Sequence, residues 1–251
     1  MNRYAWVLMT RNQLLGFLRE PAASGFNLLV PFFIVVIQAV AYGDTSVRGL
    51  KGYTVVDVLP IGAATMFVMI IGIFGMSIGL ASMIEARSVA TYRLRPGGVT
   101  GLLSAYATVL LALELLGLTI STLVLTLGWD AKLPDRPQAL VPSLAIAAVF
   151  FIAFGAAGAG LGGSPRTAQA LSSAMFFPFL FLSGAMFPLD TFPAALKVVA
   201  ALLPGKHVYE LFTYCWIGKQ GFPVWSVLYL AVGAIALSMA AVRILRNRET
   251  I

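Results

Sequence analysis

Glu114 is the residue of this 251-residue chain best placed to do chemistry. It falls near the middle of an apolar run from about Gly101 to Leu127. Inserting a charge at such a depth costs about 2.5–3.5 kcal/mol, so the side chain must face other helices or a wet cavity, or carry a proton. Gly117 and Ser121 continue its face at helical spacing, which predicts close packing there. Two roles fit: contact with a proton, cation or substrate, or a hydrogen-bonded clamp. Apart from Arg243 at the very end of the last run, no Arg, Lys or His lies inside any apolar run to pair with it.

The second group with chemical potential is the charged segment Ile84–Gly98, in which Glu85, Arg87, Arg93 and Arg95 are spread over a short stretch ending near Pro96. Such a segment between two apolar helices either docks a soluble partner or only anchors the topology. A third group is the aromatic run Phe176, Phe177, Phe179 and Phe181 around Pro178. Most of these rings should meet lipid or neighbouring helices, while Phe176 and Phe179 are candidates for an apolar substrate path. Gly75-xxx-Gly79 and Gly158-xxx-Gly162 are small-residue faces that let helices approach closely.

Much chemistry is excluded. Cys215 and His207 are the only residues of their kinds, so one chain cannot build a disulfide, a zinc cluster or a Cys-His nucleophile. A phosphate-binding loop needs Gly-x-x-x-x-Gly-Lys-Ser/Thr. Gly205-Lys206 is preceded by Ala200 and followed by His207; Gly218-Lys219 is preceded by Thr213 and followed by Gln220. Neither stretch can cradle ATP, and no catalytic triad is visible.

The elements that must position these residues are membrane helices. Hydrophobic residues make up 59% of the chain and charged residues 11%, with a mean hydropathy of +0.90; soluble domains carry about 25% charged residues. Arg3–Glu20 reads as an amphipathic helix in the interface, with Tyr4, Val7, Leu8, Leu14, Leu15 and Leu18 on its apolar stripe. Residues 1–23 form that segment and residues 24–251 the membrane domain. Six apolar runs are expected to cross: about Ser24–Tyr42, Asp57–Ser82, Gly101–Leu127, Ala139–Gly162, Ala168–Phe187 and Val224–Ile244. Trp129–Pro137 is a polar, turn-rich break. With both termini inside, ten basic residues, all Arg, face the cytoplasm; seven face outward, of which Arg48 and Arg136 are the only arginines. This bias follows the positive-inside rule and accounts for the net charge of +7 without nucleic acid.

The stretch Phe181–Pro204 is different. Its first helix should break at Ser183-Gly184 and stop at Pro188, and a second apolar helix should run from about Pro193 to Leu203. That second helix has about half the ~20 residues needed for a crossing. It is also too apolar for an ordinary loop. A helix that enters the membrane and turns back fits best, within an outer region of residues 188–223.

Taken together these features resemble the permease subunit of a type-2 ATP-binding-cassette (ABC) transporter. The likeness spans nearly the whole chain. Its most specific part is Leu182-Ser183-Gly184, Phe187-Pro188-Leu189, Phe192-Pro193 and Leu203-Pro204. The run Glu85, Arg87, Ala90-Thr91, Arg93-Leu94 resembles the family's coupling segment, with Ala-Thr where Gly-Thr is usual. The resemblance implies an all-α, six-span permease that pairs with a second permease, identical or related. Two copies of a separate ATPase subunit would dock on the loop at residues 84–98, through Glu85, Arg87, Thr91 and Arg93. ATP and Mg would sit on that ATPase, so this chain binds no cofactor or metal and is not itself an enzyme. Ser183, Gly184, Pro188, Pro193 and Pro204 would shape the outer cap. Scarce charge in the spans suits an apolar or amphipathic cargo, drug or lipid, exported across the cell membrane. Alternatives are a polysaccharide exporter of the same fold and a proton-coupled transporter relaying through Glu114. A membrane-embedded enzyme or assembly factor would need a polar catalytic cluster, and the sequence offers only isolated candidates.

Overall fold

Prolines decide where several helices begin. The computed structural model describes residues 3–19, 21–47, 50, 52–86, 98–218 and 221–248. Helix α1 runs Arg3–Arg19 and α2 runs Pro21–Tyr42. Helix α3, Val55–Ile70, passes through a π-helical segment, Ile71–Gly75, into α4, Met76–Glu85. There follow α5 (Gly98–Trp129), α6 (Pro137–Gly162), α7 (Pro165–Phe181), a 3₁₀ turn (Leu189–Thr191), α8 (Ala194–Leu202), α9 (Pro204–Trp216) and α10 (Val224–Arg248). Pro137, Pro165 and Pro204 open α6, α7 and α9, where the missing N–H has no partner to lose and the fixed φ already suits the helix. Among the described residues there is no strand, only one isolated antiparallel bridge between Ser46 and Thr54.

The α3–α4 unit is the axis of the bundle. Every residue from Leu59 to Ser77 is buried. Around it pack α2, α5, α6, α7 and α9, and the most extensive pairing of all is α6 with α10. The seam between α3–α4 and α6 is made of small residues. A β-carbon on Gly72 would lie 2.5 Å from the β-carbon of Phe151, and one on Gly155 would strike the Gly72 carbonyl. With apolar surroundings on every side, such close backbone approach supplies the dispersion that replaces a hydrophobic drive.

Four stretches are long and apolar enough to cross a membrane: Val55–Glu85, Gly101–Trp129, Pro137–Gly162 and Val224–Ile244. Helix α2 has 22 residues and α7 has 17. The fifth expected run thus ends its helix at Phe181 rather than Phe187, because Ser183 and Gly184 turn the chain. Helix α9 is an addition to the sequence reading, which took Pro204 as an end; it is a beginning. Helix α1 packs chiefly on α5 and leaves Val7, Leu8, Leu14, Leu15 and Leu18 exposed.

Candidate functional site

A cavity of about 830 Å³ lies between α1 and α2 on one side and α7 on the other, with α3–α4 as its floor. It is partly open to the outside of the bundle, and its size falls in the range of about 300–1,000 Å³ common for small-molecule sites. The floor contains the π-helical segment, including Phe74 and Gly75. A π-helical turn widens the backbone ladder, a distortion often found at functional sites. Here Tyr106 of α5 donates its hydroxyl to the Gly75 carbonyl at 2.7 Å, and Ser172 of α7 donates to the Ile73 carbonyl at 3.4 Å. The Tyr106 ring reaches Gly75 by crossing Gly79, whose missing side chain leaves room for it.

The lining is mostly apolar, with Gln13 of α1, Ser82 of α4, and Gln169 and Ser173 of α7 among its polar side chains. Asn27 and Tyr106 lie near the middle, level with Gly75. Toward the start of α3 and the end of α7 the lining is Ile34, Met66, Ile70, Phe177 and Leu180. No Asp, Glu, Lys, Arg or His lines it among the described residues.

The sequence-level candidates separate clearly. Phe176 lines the cavity and meets Phe74 edge-on at 5.2 Å between ring centres. Phe179 does not line it; its ring turns toward α6 and packs against Phe154 at 5.5 Å and Phe151 at 6.3 Å. Glu114 is wholly buried, away from the cavity, and neither carboxyl oxygen has a hydrogen-bond partner among the described residues. One turn on, Gly117 receives the Phe67 ring of α3, so this face is packed as its spacing predicts. Glu85 is the exposed last residue of α4; Arg87, Thr91 and Arg93 lie outside the described residues.

The motif from Ser183 to Pro204 is built as a sharp corner. Ser183 is fully buried; its hydroxyl donates to the Leu180 carbonyl at 2.8 Å and accepts from the Ala185 N–H at 3.0 Å. Gly184 sits at φ +95°, where a β-carbon is strained. Pro188 precedes the 3₁₀ turn, and Pro193 precedes α8. Leu203 is extended, so α8 and α9 meet at a corner at Pro204. Helix α8 spans about 14 Å at 1.5 Å per residue, less than half of a ~30 Å hydrocarbon layer. Of its residues only Ala200 is buried.

Two polar clusters hold this region, and neither was singled out from the sequence. The strap between α5 and α6 ties it from one side. The Arg136 guanidinium donates to the carbonyls of Tyr214 and Gly218 and stacks over the Tyr214 ring, while Asp135 accepts from the Gly218 N–H at 2.6 Å and from the Tyr53 hydroxyl at 3.2 Å. Asp57 caps α3 and accepts from the Lys132 N–H at 3.0 Å. The charges packed into Trp129–Pro137 were the available signal. On the other side, Ser226 of α10 donates to Glu210 and lies 3.0 Å from Nδ1 of His207, whose Nε2 is 3.1 Å from the Ala201 carbonyl. Lys206 pairs with Glu210 at 2.6 Å. Burial holds the His207 imidazole below its usual value, opposed by the Ala201 carbonyl and Glu210. Here the serine lies between the histidine and the acid, so no imidazole bridges the two as in a hydrolase triad.

The profile of the ABC-2 type transporter family matches residues 4–216. The chain belongs to that family. Members of that family are membrane components of ABC transporters. It is a multi-pass integral protein of the cell membrane. The chain is also similar to nodulation protein J of Rhizobium leguminosarum bv. viciae, at 33% identity over 79 residues, which is 32% of this chain and 30% of that protein. The match thus spans less than a third of that relative's length.

Proposed function

We propose that this chain is the permease of an ATP-driven exporter of apolar or amphipathic cargo, a drug or a lipid. The observation that carries the reading is the cavity of about 830 Å³ between α2 and α7, floored by the buried α3–α4 unit and lined by no charged side chain among the described residues. Its size suits a drug-sized molecule or part of a lipid. In this reading α2 and α7 complete six spans, both termini are cytoplasmic, and α8 and α9 form the outer re-entrant cap. The almost entirely exposed apolar surface of α8 suits lipid better than water. The exposed leucines of α1 suit a helix lying in the headgroup layer.

The permease works as a pair, with an identical or related partner, above two ATPase subunits. Glu85, Arg87, Thr91 and Arg93 receive the movement of the ATPase, and cargo leaves along the interface between permeases. The test is transport in inverted vesicles carrying this chain with its co-purifying ATPase. ATP-dependent cargo movement is expected, and transport that persists with no nucleotide-binding partner would refute the reading. Charge reversal at both Arg87 and Arg93 is expected to release the ATPase.

One observation favours a second reading. The unpartnered, buried Glu114 carboxyl is a candidate proton relay for a proton-coupled transporter. Glu114→Gln discriminates: loss of proton coupling in transport that ignores ATP would support the relay.

A further inference from the structure

One face of α5 gathers the unpaired buried oxygens. Among the described residues these are both carboxyl oxygens of Glu114 and the hydroxyls of Ser121, Thr122 and Thr126. At 3.6 residues per turn the four side chains fall within an arc of ~140° and climb about 18 Å of helix. We infer that this face is a proton path to Glu114, along which water enters from the strap Trp129–Pro137 and from no other side. The inference rests on the reading of Glu114 as a relay for its role in transport; the path itself rests on the packing of α5.

Hydroxyls elsewhere on α5 are satisfied by the helix itself. Thr108 and Thr119 donate to the carbonyls of Ser104 and Leu115 at 2.8 and 2.7 Å, and Ser104 donates to Gly101 at 3.0 Å. Thr122 and Thr126 make no such bond. An unpaired buried polar group has given up its hydration for nothing, and natural interiors leave few of them. A line of water meets all of these groups at once, because each hydroxyl accepts one bond and donates another. The carboxyl passes its proton to the first water and takes one back along the same line, so the hydroxyls end as they began.

The line has one open end. Beyond Thr126 the helix reaches the exposed Asp130 and then the strap, where Asp57 accepts from the Lys132 N–H. Toward Gly98 the same face carries Leu111, Leu110, Ala107 and Leu103, and its hydroxyls, on Thr108 and Ser104, already donate to helix carbonyls. The turn between Glu114 and Ser121 is filled by the buried Leu118 and by the Phe67 ring in the notch of Gly117. The path is therefore shut in this structure, and Phe67 is its gate. Among the described side chains of the elements packed on α5, Asp57 of α3, Tyr42 of α2 and Arg11 of α1 titrate, and none bonds to Glu114.

The test follows deuterium exchange of the Glu114 carboxyl by infrared difference spectroscopy, using the full chain with its co-purifying ATPase in nanodiscs. Glu114→Gln identifies the carboxyl band. Ser121→Ala, Thr122→Val and Thr126→Val together remove the hydroxyls with little change of shape. This triple variant is expected to slow exchange about tenfold while raising the unfolding temperature, since it deletes unpaired groups. Loosening of the fold would speed exchange, so misfolding cannot mimic the result. Thr119→Val, at a hydroxyl already bonded within the helix, is expected to leave the rate unchanged. Direction is read in vesicles with an impermeant thiol reagent and Cys215→Ser as background. Thr126→Cys should react faster than Thr122→Cys, both from the same side as Asp130→Cys, and Leu110→Cys should not react. An unprotonated or non-exchanging Glu114, an unchanged rate in the triple variant, or Leu110→Cys reacting as fast as Thr126→Cys would overturn the path. The two readings fail separately. Slowed exchange in the triple variant, with transport indifferent to a proton gradient, would sink the relay and leave the path. Proton-coupled transport abolished by Glu114→Gln, with exchange untouched by the triple variant, would do the reverse.

Discussion

The two sides of the α3–α4 unit are built to different ends. Toward α6 it is closely packed: Gly72 and Gly155 bring the backbones into contact, Phe151 fills the seam, and α10 backs α6. Toward α2 and α7 it is open: the same helix exposes a π-helical turn, small residues and a few neutral polar groups to a cavity. The contrast teaches that one buried helix serves as both foundation and wall. Stability should concentrate on the closely packed side and transport on the open side.

The strongest way to break this comparison is to disturb the seam. Gly155→Leu puts a branched side chain against the Gly72 carbonyl and brings its β-carbon to 2.9 Å from that of Met76. Overpacking of this kind costs about 3 kcal/mol or more. Thermal unfolding in nanodiscs should show a large drop, and a variant as stable as the parent would mean that the seam yields. Next comes Glu114→Leu. Removing a buried carboxyl that has no partner should stabilise the protein by about 1–3 kcal/mol. A loss of stability instead would reveal a partner supplied in the assembled transporter.

Tyr106→Phe tests the border between the two sides. It deletes the bond to the Gly75 carbonyl and should cost about 1 kcal/mol, with altered transport because the π-helical turn loses its tether. A smaller effect is expected from pH. Burial holds His207 below its usual value, so the folded chain prefers the neutral imidazole. On acidification the unfolded chain takes up the proton first; stability is complete above about pH 6.5 and declines as pH falls toward the folded value. His207→Gln should flatten that decline, as read from unfolding temperatures across pH. Least of all should Gln169→Ala change stability, by about 0.5 kcal/mol at most. It should nevertheless weaken transport, and a stability loss larger than that of Tyr106→Phe would undo the division of labour.

Much of the fold was readable because membrane helices announce themselves locally. The runs that became α3–α4, α5, α6 and α10 were placed within a few residues, since each is an unbroken apolar stretch bounded by charge or proline. The corner at Ser183-Gly184 was also readable: a buried serine and a glycine at positive φ have few alternatives. Helix α9 was not, because Pro204 ends one pattern and begins another with the same letter. Phe176 and Phe179 looked equivalent on the chain, yet three residues of helix rotate them to different neighbours, one to the cavity and one to α6. The charges of Trp129–Pro137 looked like an ordinary polar break; the carbonyls that Arg136 reaches lie some eighty residues away.

Composition and order of residues alone determined that this protein lives in a membrane and that it carries the motifs of its family. These are local properties, set by which side chains tolerate hydrocarbon and which spacings permit a helix or a turn. The tertiary structure alone decided that Glu114 is left without a partner among the described residues, that a strap grips α9, and that neutral polar groups from α1, α4 and α7 line one cavity. A cavity is the space that helices fail to fill when they pack, so it is a property of their mutual arrangement and appears in no single helix.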